Sequence, residues 1–177
     1  ELIIFEDIAS AFETKNSLKC IPLPGLKELL PKILVGHRIW FLDGRIEFKV
    51  EDVNETYLIA RLIIGDRPIK TRNAIFLPDS DVSYRMVVQD DIDDLKKFKL
   101  AGIIPDWFAL SFISSPDDAY EAKQQLNSIF GDAVNLMAKI ETKFAVERFD
   151  DILDAVNSIM IARGDLALAV PYSIIPK

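Results

Sequence analysis

Five polar residues interrupt apolar runs in the second half of the chain: Ser111, Lys139, Glu141, Arg163 and Asp165. They recur at steps of 28 residues (111 to 139) and 24 residues (139 to 163), each about one strand–helix unit. Residues repeated with that period fall at the same end of successive parallel strands, where α/β architectures bind ligands. Lys139 has apolar neighbours inside a strand, and burying it is costly without a charged partner. Glu141 and Asp165 come from adjacent strands and make a natural seat for a hard divalent cation such as Mg2+, which takes one or two carboxylates plus substrate oxygens. A metal with a lysine beside it can stabilise negative charge on a transferring phosphoryl group or an enolate. The same residues also allow a plainer arrangement. Lys139 with Glu141, and Arg163 with Asp165, stand two apart and could be structural ion pairs on one strand face.

The elements that must position these residues are legible. Residues 106–165 read as strand–helix–strand–helix–strand, the pattern of consecutive βα units with right-handed crossovers and a parallel sheet. The apolar runs 107–112, 134–140 and 158–162 are nearly continuous, as in strands buried on both faces. Ser115-Pro116 starts a helix whose apolar face is Ala119, Ala122, Leu126 and Ile129, with Gly131 after its last turn. Phe144, Val146, Phe149, Ile152, Leu153 and Val156 supply the apolar face of the next helical segment. Asp90, Asp91, Asp93 and Asp94 read as a solvated acidic helix start, not a metal site.

Before Pro78 the pattern is different. Apolar runs at 33–35, 39–42, 46–50 and 57–64 are separated by turn signals, and Asp43-Gly44 between two of them predicts a hairpin. A strand is expected at 2–5 and a helical turn at 26–30. Many short antiparallel strands predict a small β-barrel or sandwich. The expected domains are 1–82, all β, and 83–177, built of βα units. Only three barrel-type strands are expected in the second. Their two open edges would be an aggregation hazard, so the chain is expected to be incomplete.

Composition removes several classes. The chain has 177 residues and a formal net charge of −7, is half hydrophobic and 28 % charged. That is a soluble composition, and the acidic balance argues against nucleic-acid binding. No signal peptide or bilayer-spanning apolar stretch is read, and the first residue is Glu1. The single cysteine, Cys20, excludes an internal disulfide, reads as a packed thiol and fits a reducing cytoplasm. The single histidine, His37, reads as a surface residue, so a histidine triad and zinc sites are not expected. No phosphate-binding glycine loop is found. Trp40, Phe41, Trp107 and Phe108 read as core.

Ala138-Lys139-Ile140-Glu141, then Phe149-Asp150-Asp151-Ile152-Leu153, then Ile159-Met160-Ile161-Ala162-Arg163-Gly164-Asp165-Leu166 resembles the signature region of the pyruvate kinase family. There a lysine–isoleucine–glutamate strand, a Phe-Asp-Glu-Ile-Leu helix and an Ala-Arg-Gly-Asp-Leu-Gly segment follow in the same order. Leu110-Ser111-Phe112-Ile113 is similar to the family's Ala-Ser-Phe-Val strand, Leu42-Asp43-Gly44-Arg45-Ile46 to its lid hairpin, and Ile75-Phe76-Leu77-Pro78 to its Val-Asn-Leu-Pro segment.

The resemblance implies an α/β fold, part of a (β/α)8 (TIM-type) barrel preceded by a small all-β lid domain. It implies phosphoryl transfer from phosphoenolpyruvate to ADP, giving pyruvate and ATP in glycolysis. Lys139 would stabilise the phosphoryl group in flight. Glu141 and Asp165 would hold Mg2+ (or Mn2+), with K+ assisting. Ser111, Arg163, Gly164 and Asp165 would line the substrate side, the backbone near Gly164 meeting the substrate carboxylate. Asp43 and Arg72 would face the nucleotide. A cytoplasmic homo-oligomer, a tetramer in the family, is implied, with no nucleic-acid or membrane partner.

The sequence departs from the family at Asn73, Ser114, Asn157-Ser158, Ala167 and Ala169. The family's substrate arginine and much of its K+ site lie on barrel strands outside this chain, so the chain alone is expected to be inactive. Two other readings stand beside this one: a metal-dependent lyase or aldolase acting on pyruvate enolate, and a degenerate, non-catalytic relative.

Overall fold

The computed structural model describes residues 2–6, 19–65, 67–70, 73, 75–132, 134–171 and 173. The chain divides into two units, Glu1–Val82 and Ser83–Lys177.

In the first unit, β-branched and aromatic runs form β1 (Leu2–Glu6), β2 (Lys19–Pro22), β3 (Arg38–Phe41), β4 (Ile46–Val53), β5 (Tyr57–Ile64) and β6 (Ile75–Phe76). They make one sheet in the order β2-β1-β5-β4-β3-β6. The period-two pattern from Ile46 sends Ile46, Phe48 and Val50 into the core. Phe48 packs edge-on against Phe5 and Phe41, with ring centroids 5.2 and 6.0 Å away. The hairpin expected at Asp43-Gly44 joins β3 to β4, with Phe41 opposite Ile46. Leu42, Asp43 and Gly44 all turn through positive φ (52°, 56° and 80°), which asparagine, aspartate and glycine tolerate best.

Several expectations for this unit change. Residues 33–35 form no strand: Pro31 starts a 3-10 turn (Leu30–Lys32) after α1 (Leu26–Leu29), and the chain bends again at Gly36. The pairing is not wholly antiparallel, because β1 and β2 run parallel. Among the described residues the sheet is open, with β2 and β6 at its edges. Cys20 lies exposed on that edge rather than packed. His37 is half-buried, its Nδ1 2.8 Å from Ser80 Oγ.

In the second unit, α2 (Gln89–Leu100) precedes β7 (Phe108–Leu110), α3 (Pro116–Phe130), β8 (Leu136–Ile140), α4 (Lys143–Glu147), α5 (Phe149–Ala155), β9 (Ser158–Ile161) and α6 (Arg163–Ala169). The strands form a parallel sheet in the order β7-β8-β9. Leu136, Ala138 and Ile140 of β8 are buried with Ala119, Ala122 and Leu126 of α3 and Ile152 of α5. Met137 and Lys139 alternate to the other face, as pleating requires.

The helical segment before β9 is broken at Arg148 into two short helices, and Leu153 is exposed rather than part of their apolar face. The expectation of strands buried on both faces is met on only one face of β8, Met137 and Lys139 of the other face being half-buried, and fails for β9. Met160 and Ile161 of β9 are exposed, since β9 has no neighbour on its far side among the described residues. Trp107 is also exposed, while Phe108 packs against Phe130. Among the described residues no helix is long and apolar enough to cross a membrane.

Candidate active site

Parallel register brings the ends of β7 and β8 together: Leu110 pairs with Ala138, so Ser111 and Lys139 follow side by side. Lys139 Nζ donates to Ser111 Oγ at 2.9 Å and stands 2.5 Å from Glu141 Oε1. Lysine and glutamate, two residues apart, share a face and meet. The Glu141 side chain is 1 % exposed, that of Lys139 24 %. A carboxylate so deeply buried needs donors. One is the backbone N–H of Phe112, which donates to Glu141 Oε2 at 2.7 Å. The other oxygen, Oε1, touches the lysine but accepts no well-aligned hydrogen bond.

The ladder continues from β8 to β9: Ile140 pairs with Ile161, and the Ala162 N–H donates to the Ile140 carbonyl at 3.2 Å. Helix α6 begins at the next residue, which corrects the placement of Arg163 and Asp165. They sit in a helical first turn, not on a strand face. Residues two apart on a helix point in different directions. The alternative ion pair between Arg163 and Asp165 is accordingly absent, and neither side chain has a hydrogen-bond or ion-pair partner among the described residues. Lys139–Glu141 is formed. Gly164 is exposed, and a Cβ placed there would meet nothing within 4 Å.

A second layer holds the loop after β7, and residue spacing gave little warning of it. Asp118, buried at the start of α3, accepts from the N–H groups of Ser114 (2.8 Å) and Ser115 (2.9 Å) and from the Ser83 hydroxyl. Ser115 caps the same helix, so the Ser-x-x-Asp spacing is a capping box, the one sequence signal available. Arg148 donates to the Ser114 carbonyl at 3.0 Å, and Thr142 reaches the Ile113 carbonyl. Ser114 is therefore buried and bonded through its backbone. Asn157 docks the start of β9: its Oδ1 accepts from the Leu136 N–H at 2.9 Å, and its own N–H donates to the Leu136 carbonyl.

The donor set fits a hard divalent cation in kind. Glu141 offers a buried oxygen, Oε1, facing the Lys139 ammonium, Asp165 an unpaired carboxylate, and magnesium commonly takes one or two carboxylates with water completing its shell. Among the described residues no group of three or more His, Cys, Asp or Glu side chains gathers as a metal cluster. Asp43 is exposed at the tip of its hairpin in the first unit. Arg72 lies outside the described residues.

Fold and rim together define a chain of repeated βα units with its polar groups gathered at the carboxyl ends of a parallel sheet. The family model described as pyruvate kinase, barrel domain, matches residues 7–177. A pyruvate kinase of Agrobacterium vitis is 32 % identical over 164 residues, covering 93 % of this chain and 33 % of that protein. One from Thermotoga maritima is 32 % identical over 148 residues, 83 % of this chain and 31 % of its own length. The chain belongs to the pyruvate kinase family, and it spans about a third of the length of these curated relatives.

Proposed function

We propose that this chain carries the metal and phosphoryl centre of a pyruvate kinase. The observation that supports this most strongly is the arrangement of Lys139 Nζ between Ser111 Oγ and a buried Glu141 oxygen that no hydrogen bond satisfies. In the reaction, the bond from phosphorus to the enol oxygen of phosphoenolpyruvate breaks and one to a terminal oxygen of ADP forms. The enolate left behind takes a proton to become pyruvate. Lys139 stabilises the charge spread over the phosphoryl oxygens in flight. Glu141 and Asp165 hold Mg2+, which when bound neutralises charge on substrate oxygens. Ser111 keeps Lys139 pointed at the rim. Arg163 and Gly164 face the substrate carboxylate, and the open space in front of Gly164 favours that reading. Asp43 and Arg72 belong to the nucleotide side. On this reading the first unit is the lid and the second is part of a (β/α)8 barrel, in a cytoplasmic oligomer.

The test is pyruvate formation from phosphoenolpyruvate and ADP by the full-length gene product, with Mg2+ and K+ varied. Turnover that requires Mg2+ supports the reading. A folded protein that forms no pyruvate refutes it and favours a degenerate relative.

A further inference from the structure

Three non-glycine residues among those described have positive φ. Two of them, Leu42 and Asp43, occupy a hairpin turn, where such values are ordinary. The third is Phe112, at φ 56°, directly after β7. A left-handed backbone is uncommon for a bulky residue that lacks a short polar side chain to bond locally. Such strain persists only where its surroundings over-determine it, and it clusters at functional sites.

The surroundings here do so. The next residue's carbonyl receives Thr142 Oγ1, the Ser114 hydroxyl reaches back to the Phe112 carbonyl, and Asp118 grips the N–H groups of Ser114 and Ser115. The consequence falls on one atom. The φ angle of Phe112 sets the tilt of the peptide plane between Ser111 and Phe112, and therefore the direction of the Phe112 N–H. That N–H points at Glu141 Oε2 from 2.7 Å.

We infer that Phe112 is a positioning residue. Its left-handed backbone locks Oε2 of Glu141 through the N–H, which leaves Oε1, beside Lys139 Nζ, as the oxygen a divalent cation would reach. The inference rests on the reading of Glu141 as a metal ligand. Ser111 and Phe112 then divide the work between them, the serine orienting Lys139 and the phenylalanine's backbone orienting Glu141. The two charged groups are held by one turn, from which they meet each other at 2.5 Å. The side chain of Phe112 has a separate role, packing edge-on near Tyr84 with ring centroids 6.4 Å apart.

Backbone and ring can be separated by two variants that differ in a single methyl group. Phe112→Gly and Phe112→Ala both remove the ring, but only glycine adopts positive φ without cost. The readout is Mn2+ affinity, measured on the full chain from the free-ion signal in electron paramagnetic resonance. Circular dichroism melting confirms that each variant is folded. The inference predicts that Phe112→Ala binds Mn2+ about five- to tenfold more weakly than Phe112→Gly, the penalty for forcing a Cβ into the left-handed region. It also predicts that Glu141→Gln, added to each, erases the difference. Equal affinities for the glycine and alanine variants would overturn the positioning role and leave the ring as the only contribution of residue 112. If Glu141→Gln alone leaves Mn2+ binding unchanged, the metal-ligand reading fails first and the inference falls with it. Should Phe112→Ala fold poorly, Phe112→Ser replaces it on the strained side and Phe112→Asn replaces glycine on the tolerant one: asparagine accepts positive φ, so it must bind more tightly than Phe112→Ser.

Discussion

Removing the ammonium from Lys139 isolates the most exacting contact in the second unit. Lys139→Met keeps an unbranched stem of similar length and deletes only the charge. At the 2.5 Å separation of Nζ from Glu141 Oε1, two unit charges attract by about 7 kcal/mol at an effective dielectric constant near 20. Most of that offsets desolvation. What the variant loses is better judged from buried pairs broken on one side, about 3–5 kcal/mol. Lys139 is 24 % exposed, so water can partly replace it, and the expected loss is roughly 2–4 kcal/mol. The charge left behind would have one donor, the Phe112 N–H, for two oxygens. Adding Glu141→Gln removes that charge, so the double variant should be more stable than the sum of the single changes requires. Urea unfolding followed by hydrogen exchange at the amides of β8 reports the second unit separately from the first. Mg2+ should restore part of the loss, because a cation at Oε1 replaces the missing ammonium, and pyruvate formation by the full-length protein should fall to background while metal binding survives. A Lys139→Met variant within 0.5 kcal/mol of the parent, on the scale of a surface pair, would refute the reasoning.

Three further outcomes follow from the packing. Leu136→Ala, at a fully buried position in the middle strand, should cost about 2–5 kcal/mol in urea unfolding, towards the lower end if the site collapses around the gap. Asp118→Ala leaves the Ser114 and Ser115 N–H groups without their acceptor and should cost about 2–3 kcal/mol, with faster exchange at residues 114 and 115. In the first unit, the side-chain hydrogen bonds from Arg38, partly opposed by burial, hold the Asp79 carboxyl below its ordinary value of 3.8. A depressed carboxylate contributes stability above its unfolded pKa and loses it as pH falls through the folded one. Asp79→Asn should therefore destabilise the first unit at pH 7 by about 1 kcal/mol, discounted for the partial exposure of both partners, and the gap should narrow as pH falls below the ordinary carboxyl value of 3.8; a gap independent of pH would contradict this.

The βα repeat was legible because its signals are local. Ser115-Pro116 and Gly131 bracket α3, and Ala119, Ala122, Leu126 and Ile129 do face the core. Lys139 and Glu141 could be paired from strand periodicity alone. Arg163 and Asp165 could not, because a strand that ends at Ile161 and a helix that begins at Arg163 give the same i, i+2 spacing opposite meanings. Trp107 and Ile161 looked like core by type, yet their burial depends on neighbours that no local pattern specifies. The parallel pairing of β1 with β2 and the contact of His37 with Ser80 are likewise long-range. Least legible was Phe112. Nothing in Ser-Phe-Ile-Ser announces a left-handed residue, since the conformation is imposed from outside by Thr142, Asp118 and Glu141.

The proposed chemistry stands or falls on one divalent cation shared by Glu141, just after β8, and Asp165, in the first turn of α6. Mn2+ titration of the full chain tests it directly. One ion per chain is expected, with binding lost in both Glu141→Gln and Asp165→Asn while each variant stays folded. Full-strength binding in either variant would contradict the shared site.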